Sequence, residues 1–269
     1  EEYAAGWRLA CISKIIDDVE VLVPDIASAY KSRMKMADLS SAEEVKIFEE
    51  LKEQIAEVGI ELKNNLEVID VTMSAPTLDD TMPDNERFSW AVEEVTGMDK
   101  IRVPYSVIKK MAHVFRASDF HVKAVIRKTD KDVFVYDVLP ASEEPVVAGI
   151  AIDIGTTSVS AIIIDMLNGA VLAKGSAGNG QIRYGADVIN RIIESGKPGG
   201  REKLQDAIIK ETLNPLILNM CASAKIKPAQ VYRLAIGANT TMNHLLMGVD
   251  ADPVRMEPYI PTFFKTNSL

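Results

Sequence analysis

The stretch that decides the fold is Val147-Ala148-Gly149-Ile150-Ala151-Ile152-Asp153-Ile154, which continues directly into Gly155-Thr156-Thr157. Eight residues that are almost all apolar predict a strand of the kind that is buried on both faces. The β-branched run that follows, residues 158–165, predicts a second strand. Asn168-Gly169 is a strong hairpin signal and leads into a third, residues 171–175. The sequence therefore predicts a three-stranded meander with a glycine-threonine turn after its first strand.

The glycine-threonine turn has the chemistry of a phosphate site. Gly155 lets the backbone approach a phosphate closely. Successive backbone N–H groups and the hydroxyls of Thr156 and Thr157 can donate to its oxygens. Asp153 supplies a carboxylate for Mg²⁺ or for an attacking water. The alternative is a plain hairpin in which Asp153 and Gly155 serve only the turn.

Two further stretches of the sequence follow strands of the same predicted sheet. Residues 183–192 (RYGADVINRI) open a helix near Asp187, whose carboxylate can stabilise the helix start. Residues 237–248 (GANTTMNHLLMG) follow a strand predicted over 232–237. They place Asn239, Thr240 and Thr241 at its carboxyl end, where such sheets bind ligands. Helix capping is the alternative role for these three. Before the first of these stretches, the glycine-rich run Gly175–Gly180 predicts a flexible loop.

The meander resembles the phosphate-1 motif of the superfamily of actin, sugar kinases and heat-shock chaperones. That resemblance implies that Asp153 and the Gly155-Thr156-Thr157 turn meet the β- and γ-phosphates of ATP. It also implies that Asp187 lies at the cleft, with stabilisation of the helix start as the alternative role. Together with residues 183–192 and 237–248, the motif resembles the ATPase domain of the reductive activators of corrinoid proteins. Those activators use ATP to pass low-potential electrons to the cobalt of a corrinoid protein that transfers methyl groups.

The amino-terminal residues resemble another part of the same activators. Gly6-Trp7-Arg8-Leu9-Ala10-Cys11 is similar to the last cluster-ligand segment of a plant-type ferredoxin domain. The resemblance implies that Cys11 is a ligand of a 2Fe-2S cluster. Such a cluster needs four thiolates, and the chain has two cysteines. Cys221, which falls in an apolar helix, is expected to be a core residue.

The predicted fold class is α/β, with the first half of a ribonuclease-H-like, actin-like ATPase domain preceded by a small α+β middle domain and a helical linker. We predict a ferredoxin-like remnant over 1–25, the helical linker over 26–63, the α+β middle domain over 64–145 and the ATPase half over 146–269. The chain is thus expected to be an internal piece of a longer protein. The second phosphate loop would lie beyond Leu269, so we expect no ATPase activity from the chain alone.

The composition of the chain limits the kinds of partner that it is expected to bind. The net charge of −9 and the pI near 5.0 argue against nucleic acid and against an anionic membrane surface. No apolar run approaches the ~20 residues of a membrane span. Two cysteines make no disulfide framework, and a cytoplasmic location is expected.

The leading hypothesis is an ATP-dependent activator that passes an electron from a 2Fe-2S cluster to Co(II) of a corrinoid protein and regenerates Co(I). The resemblance implies ATP, Mg²⁺ and the cluster as cofactors. It implies as partners a corrinoid protein of a methyltransferase system and a low-potential electron donor, and we also expect a homodimer. The alternatives are a small-metabolite kinase of the same superfamily and a non-catalytic module that docks a partner. The candidate residues are Asp153 and Asp187 for catalysis, Gly155, Thr156, Thr157, Asn239, Thr240 and Thr241 for the nucleotide, and Cys11 for the metal.

Overall fold

The computed structural model describes residues 65–264, together with residues 46, 50 and 53–59. All of these lie within one compact unit, Met36–Leu269. Cys11, the predicted ferredoxin remnant and most of the predicted linker lie outside the described residues. Of the linker, residues 53–57 are helical and end before Gly59, which has a φ of +78°. Within the described ranges, no helix has both the length and the apolar character needed to cross a membrane.

The first half of the described chain forms a sheet covered by two helices. Its strands are β1 (Leu66–Thr72), β2 (Ile101–Arg102), β3 (His121–Lys128) and β4 (Val133–Pro140), in the order β1-β3-β4-β2. Its helices are α1 (Asp84–Thr96) and α2 (Tyr105–Ala117). Gly97 ends α1 in the left-handed conformation, and Pro104 precedes α2 as its N-cap, as the glycine and proline signals predict. Phe88 and Phe115 stack at the centre of the core, with ring centroids 5.6 Å apart.

The second half forms another sheet. Its strands are β5 (Ala148–Ile154), β6 (Ser158–Asp165), β7 (Val171–Gly178) and β8 (Val231–Ala238), in the order β7-β6-β5-β8. β5, β6 and β7 form the predicted antiparallel meander, while β8 runs parallel to β5. Because β5 and β8 are parallel and in register to their last residues, the turns that leave them start from the same edge of the sheet.

Helices pack against this second sheet. They are α3 (Val188–Ser195), α4 (Gly200–Ile208), α5 (Asn214–Ser223), α6 (Thr240–Met247) and the short α7 (Asp252–Arg255). A π-helical turn, Ile209–Leu213, joins α4 to α5, and 3₁₀ turns cover Gly180–Tyr184 and Pro228–Gln230. Ile152 and Ile154 of β5 are buried with Ile192, Leu204 and Met242 in the core between sheet and helices.

Two local predictions are wrong. β5 is not buried on both faces, since Ala151 and Asp153 are exposed, and the described helices cover only the face that carries Ile152 and Ile154. Gly175–Gly180 is not a flexible loop. β7 continues through Gly178, and Asn179 is buried at the start of the following 3₁₀ turn. Two of the glycines serve close packing: a Cβ atom would lie 2.7 Å from the Met220 side chain at Gly175 and 2.8 Å from the Ala207 carbonyl oxygen at Gly180.

The two sheets meet around the first residues of β5 and β8. Leu66, Val125 and Val147 are buried together at this junction. Beside them the Tyr232 hydroxyl donates to an Asp137 carboxylate oxygen at 3.1 Å, and Lys110 forms an ion pair with Asp137. Next along β8, an Arg233 side chain donates to the Asn65 side-chain oxygen at 2.6 Å. The start of β8 is therefore fixed to the first sheet by polar as well as apolar contacts.

Tyr232 at this junction makes the stability of the fold decrease as the pH rises through the alkaline range. Burial, and then the negative charge of Asp137, raises the pKa of Tyr232. A raised pKa means that the folded protein holds this phenolic proton more tightly than the unfolded chain does. The resulting stabilisation is complete below the unfolded pKa of about 10 and is lost as the pH rises toward the folded value.

We therefore expect urea unfolding to show a smaller loss of stability between pH 8 and pH 11 in Tyr232→Phe than in the unmodified chain. At pH 8 the variant should be less stable by about 1 kcal/mol, because one hydrogen bond is removed. Tyr105→Phe, at an exposed tyrosine on α2, is the control and should behave like the unmodified chain. Equal losses in the chain and in Tyr232→Phe would contradict the assignment.

Candidate phosphate-binding turn

The turn between β5 and β6 is a tight hairpin. The Gly155 N–H donates to the Ser158 carbonyl oxygen at 2.9 Å. A Cβ atom at Gly155 would lie 2.7 Å from that same oxygen, closer than real Cβ contacts come. Glycine is therefore required here by the close approach of the two strands. The Gly155 N–H is used inside the hairpin, so the turn's ligand-facing donors have to come from the residues after it.

Three successive carbonyl groups of the turn accept hydrogen bonds from residues on its core side. The Asn179 side-chain amide donates to the Gly155 oxygen at 2.9 Å, and the Asn179 backbone N–H donates to the Thr157 oxygen at 2.9 Å. Between them, an Arg191 guanidinium nitrogen donates to the Thr156 oxygen. In a trans peptide the C=O and the following N–H point in opposite directions. Holding the oxygens of Gly155 and Thr156 toward the core therefore turns the N–H groups of Thr156 and Thr157 away from it.

These two N–H groups are available to a ligand. Among the residues that the structure describes, neither the N–H groups nor the hydroxyls of Thr156 and Thr157 make a hydrogen bond to protein. Both residues are partly exposed. Two adjacent amides and two hydroxyls on one short turn form a donor set of the type that binds phosphate oxygens.

Asn179 and Arg191 are themselves held firmly. Asn179 is 1% exposed, and its side-chain oxygen accepts the Gln181 N–H at 3.0 Å. The next amide, Gly180 N–H, donates to the Thr212 hydroxyl in the π-helical turn at 3.0 Å. Arg191 is 0% exposed, and its Nε donates to the Gly185 oxygen at 2.8 Å. The Met242 sulfur lies 3.5 Å from Arg191 and 3.8 Å from Asn179, so the first turn of α6 closes over both.

Asp153 provides a carboxylate on the strand that leads into the turn. It is exposed on β5, two residues before Gly155, and pairs in register with Gly237 of β8. Its neighbours across the sheet on this face are therefore small, which leaves the carboxylate open to water. Magnesium binds in this manner, through one or two carboxylates together with waters and phosphate oxygens.

Asp187 acts as a helix cap in the structure. One carboxylate oxygen accepts the Asn190 N–H and the other accepts the Asn190 side-chain amide, both at 2.8 Å. This is the capping alternative named from the sequence. The cap starts α3, the helix that carries Arg191 to the turn. Its predicted catalytic role stays a prediction.

Asn239, Thr240 and Thr241 leave the sheet beside the turn. β8 ends next to β5, with Ala238 paired to Ile154, so both segments depart from one edge. The Asn239 side chain accepts the Met242 N–H at 2.9 Å and caps α6, as the capping alternative expects. Asn239 is exposed and Thr240 partly exposed, whereas Thr241 is buried. Of the three, Asn239 and Thr240 have the better access to a ligand on the turn.

Family comparison identifies this architecture. The model of the RACo linker region matches residues 55–145, and the model of the RACo middle region matches residues 148–269. Residues 55–269 of the chain belong to the RACo family. In the RACo nomenclature, the sheet with α1 and α2 falls in the linker region, and the sheet that carries the turn falls in the middle region.

Two relatives support the RACo assignment. The corrinoid activation enzyme RamQ of Eubacterium limosum is 34% identical over 158 residues, which cover 58% of this chain and 26% of RamQ. A solved structure, named as a reductive activator for corrinoid, iron-sulfur protein, is 30% identical, with a TM-score of 0.62 over 76% of this chain and 32% of that one. The chain thus spans about a third or less of either relative. The structural match confirms the predicted α/β fold class.

A 2Fe-2S cluster does not fit the residues of this RACo chain. The sequence contains two cysteines, and four thiolates are needed. Cys221 is buried in α5, where burial raises the pKa of its thiol, and thiolates rather than thiols bind iron. Within the described ranges, no group of three or more His, Cys, Asp or Glu side chains is placed to hold a metal ion. No cluster step is therefore assigned to these residues.

Asn179 and Arg191 were not among the site residues predicted from the sequence. Asn179 falls in a glycine-rich run that reads as a loop, and its importance depends on burial that composition does not reveal. Arg191 has no signal in the sequence either, because helix packing decides which side of α3 is buried. It lies beside Ile192 on the buried side of α3, whereas Ile189 and Ile193 are exposed. A buried arginine on a helix whose isoleucines are partly exposed indicates that the arginine has a structural role inside the protein.

Proposed function

We propose that this RACo chain forms one wall of the nucleotide site of an ATP-dependent reductive activator of a corrinoid protein. The amides of Thr156 and Thr157 bind the β- and γ-phosphates, and Asp153 orients Mg²⁺ or the attacking water. The observation that carries the proposal is the geometry of the turn. Its carbonyl groups are hydrogen-bonded toward the core, and the N–H groups of Thr156 and Thr157 point away from the core. The RACo membership supports the corrinoid protein as the partner.

In the proposed activity, one electron from a 2Fe-2S cluster reduces Co(II) of the corrinoid to Co(I), and ATP drives this unfavourable step. ATP can do so only if it binds two states of the complex with different affinity. The chain's own residues contribute phosphate binding, charge stabilisation and Mg²⁺ orientation, which are the protein's main tasks in phosphoryl chemistry. The cluster, the electron donor, the methyltransferase corrinoid partner and a homodimer belong to the proposal as a whole.

A small-metabolite kinase is the weaker candidate. That reaction needs a carboxylate free to accept a proton from a substrate hydroxyl. Both oxygens of Asp187 are engaged with Asn190 in the helix cap. Asp187 is thus poorly placed to serve as this base, which favours the activator.

The decisive experiment uses the protein encoded by the complete reading frame. With Mg-ATP and a low-potential reductant, it should convert a Co(II) corrinoid protein to Co(I), followed by visible absorption. Asp153→Asn should lower the rate at least tenfold, because the carboxylate beside the γ-phosphate is lost. Asp119→Asn is the matched control: the same charge is removed at an exposed residue with a φ of +49°, which asparagine tolerates. No Co(I) with ATP, or an unchanged rate in Asp153→Asn, would refute the proposal.

A further inference from the structure

The donors that hold the turn come from two separate segments. Asn179 follows β7 and Arg191 lies in α3, yet they bind neighbouring carbonyl groups of one turn. Neither side chain is exposed, so neither can touch a nucleotide directly. Any effect on phosphate binding has to pass through the orientation of the peptide groups of Gly155, Thr156 and Thr157.

The geometry points to Asn179 and Arg191 as positioning residues that create the phosphate site by fixing the turn's peptide planes. This inference rests on the proposed phosphate role of the turn. Without the Asn179 amide, the Gly155–Thr156 peptide has no described side-chain partner for its carbonyl and can rotate. Without the Arg191 guanidinium, the same is true of the Thr156–Thr157 peptide. A rotated peptide presents an oxygen, which repels phosphate, where an N–H should be.

Arginine is suited to this task because its planar group donates in two directions at fixed geometry. Nε binds the Gly185 oxygen while a terminal nitrogen binds the Thr156 oxygen, so the side chain spans two backbone segments. Lysine would retain the positive charge and lose this double contact. Arg191→Lys therefore separates the effect of geometry from the effect of charge.

Asn179→Asp is the second test variant. Aspartate has nearly the same shape and keeps the oxygen that accepts the Gln181 N–H. It replaces the donor to the Gly155 oxygen with an acceptor. The matched control is Gln205→Glu, which makes the same amide-to-acid change at a side chain that donates to the Leu246 carbonyl at 3.0 Å, away from the turn.

The experiment titrates pyrophosphate into the ¹⁵N-labelled protein encoded by the complete reading frame and follows the amide resonances of Thr156 and Thr157 by NMR. Both should shift in the unmodified protein and in Gln205→Glu. In Arg191→Lys and Asn179→Asp, affinity should fall about tenfold, the size of effect that one lost hydrogen bond produces. The ¹⁵N spectra away from the turn should stay unchanged, which shows that each variant is folded.

The outcomes separate the inference from the proposed function. If the two amides do not shift in the unmodified protein, the phosphate site itself is refuted. If they shift there and both variants bind pyrophosphate with unchanged affinity, the phosphate site stands and the positioning role is refuted. Loss of binding in Asn179→Asp with full binding in Arg191→Lys would overturn the assignment of Arg191, because charge alone would then suffice.

Discussion

Replacing Gly200 by alanine should destabilise the protein by about 3 kcal/mol, whereas alanine at Gly196 should change its stability by less than about 1 kcal/mol. A Cβ atom at Gly200 would lie 1.9 Å from the Glu194 carbonyl oxygen, a backbone atom that no rotamer change can move. At Gly196 the nearest atom would be 3.6 Å away, and the backbone is already right-handed helical.

This pair tests how tightly α3 and α4 are joined. Gly196 is exposed in the connection after α3, whereas Gly200 is the buried first residue of α4, so the same added methyl group meets different surroundings in the two variants. Thermal unfolding should place Gly200→Ala about 5 °C below the unmodified chain, given a sensitivity of about 2 °C per kcal/mol for 269 residues. Gly196→Ala should unfold at nearly the original temperature, or slightly above it, because alanine restricts the unfolded chain. Similar midpoints for the two variants would refute the close contact.

The second large effect is expected at the turn. Gly155→Ala should abolish the pyrophosphate-induced shifts of the Thr156 and Thr157 amides and lower stability by about 1–3 kcal/mol. Its Cβ atom would meet the Ser158 carbonyl oxygen at 2.7 Å, which forces apart the two strands that form the hairpin. The Gly155 N–H bond to that oxygen would lengthen or break, and the following amides would move with it.

Gly178→Ala is the matched control for this effect. Gly178 ends β7 beside the same turn, and a Cβ atom there would meet nothing within 4 Å. The control should bind pyrophosphate like the unmodified protein. Retained binding in Gly155→Ala would show that the turn tolerates a side chain and that the close approach is not needed for phosphate.

The local pattern of the sequence was sufficient to predict the meander, but it did not predict the side chains that hold the turn in place. Asn168-Gly169 and the β-branched run over 158–165 predict strands and turns through contacts between near neighbours, and the structure has them. Asn179 is 24 residues from Gly155, and Arg191 is 35 residues from Thr156. Contacts at such separations depend on how the helices pack, which periodicity does not encode. For the same reason, the exposed face of β5 was invisible in an almost wholly apolar run.

The exact roles of Asp187 and Asn239 were ambiguous for a different reason. Both residue types cap helices well, and both also bind ligands. Only the bonds to the Asn190 and Met242 amides show which role the structure gives them. Thr241 was indistinguishable from Thr240 in the sequence, and only the packing of α6 buries one of them.

The placement of β8 has a mechanical consequence. Its eight residues span about 23 Å at the usual rise of a strand. Tyr232 and Arg233 anchor the first end to the other sheet, and the last residue leads into Asn239 and α6, whose Met242 closes over Asn179 and Arg191. A hydrogen-bonded strand resists stretching. A displacement of α6 beside the phosphate turn is therefore transmitted along β8 to the Tyr232–Asp137 hydrogen bond, or it breaks that hydrogen bond.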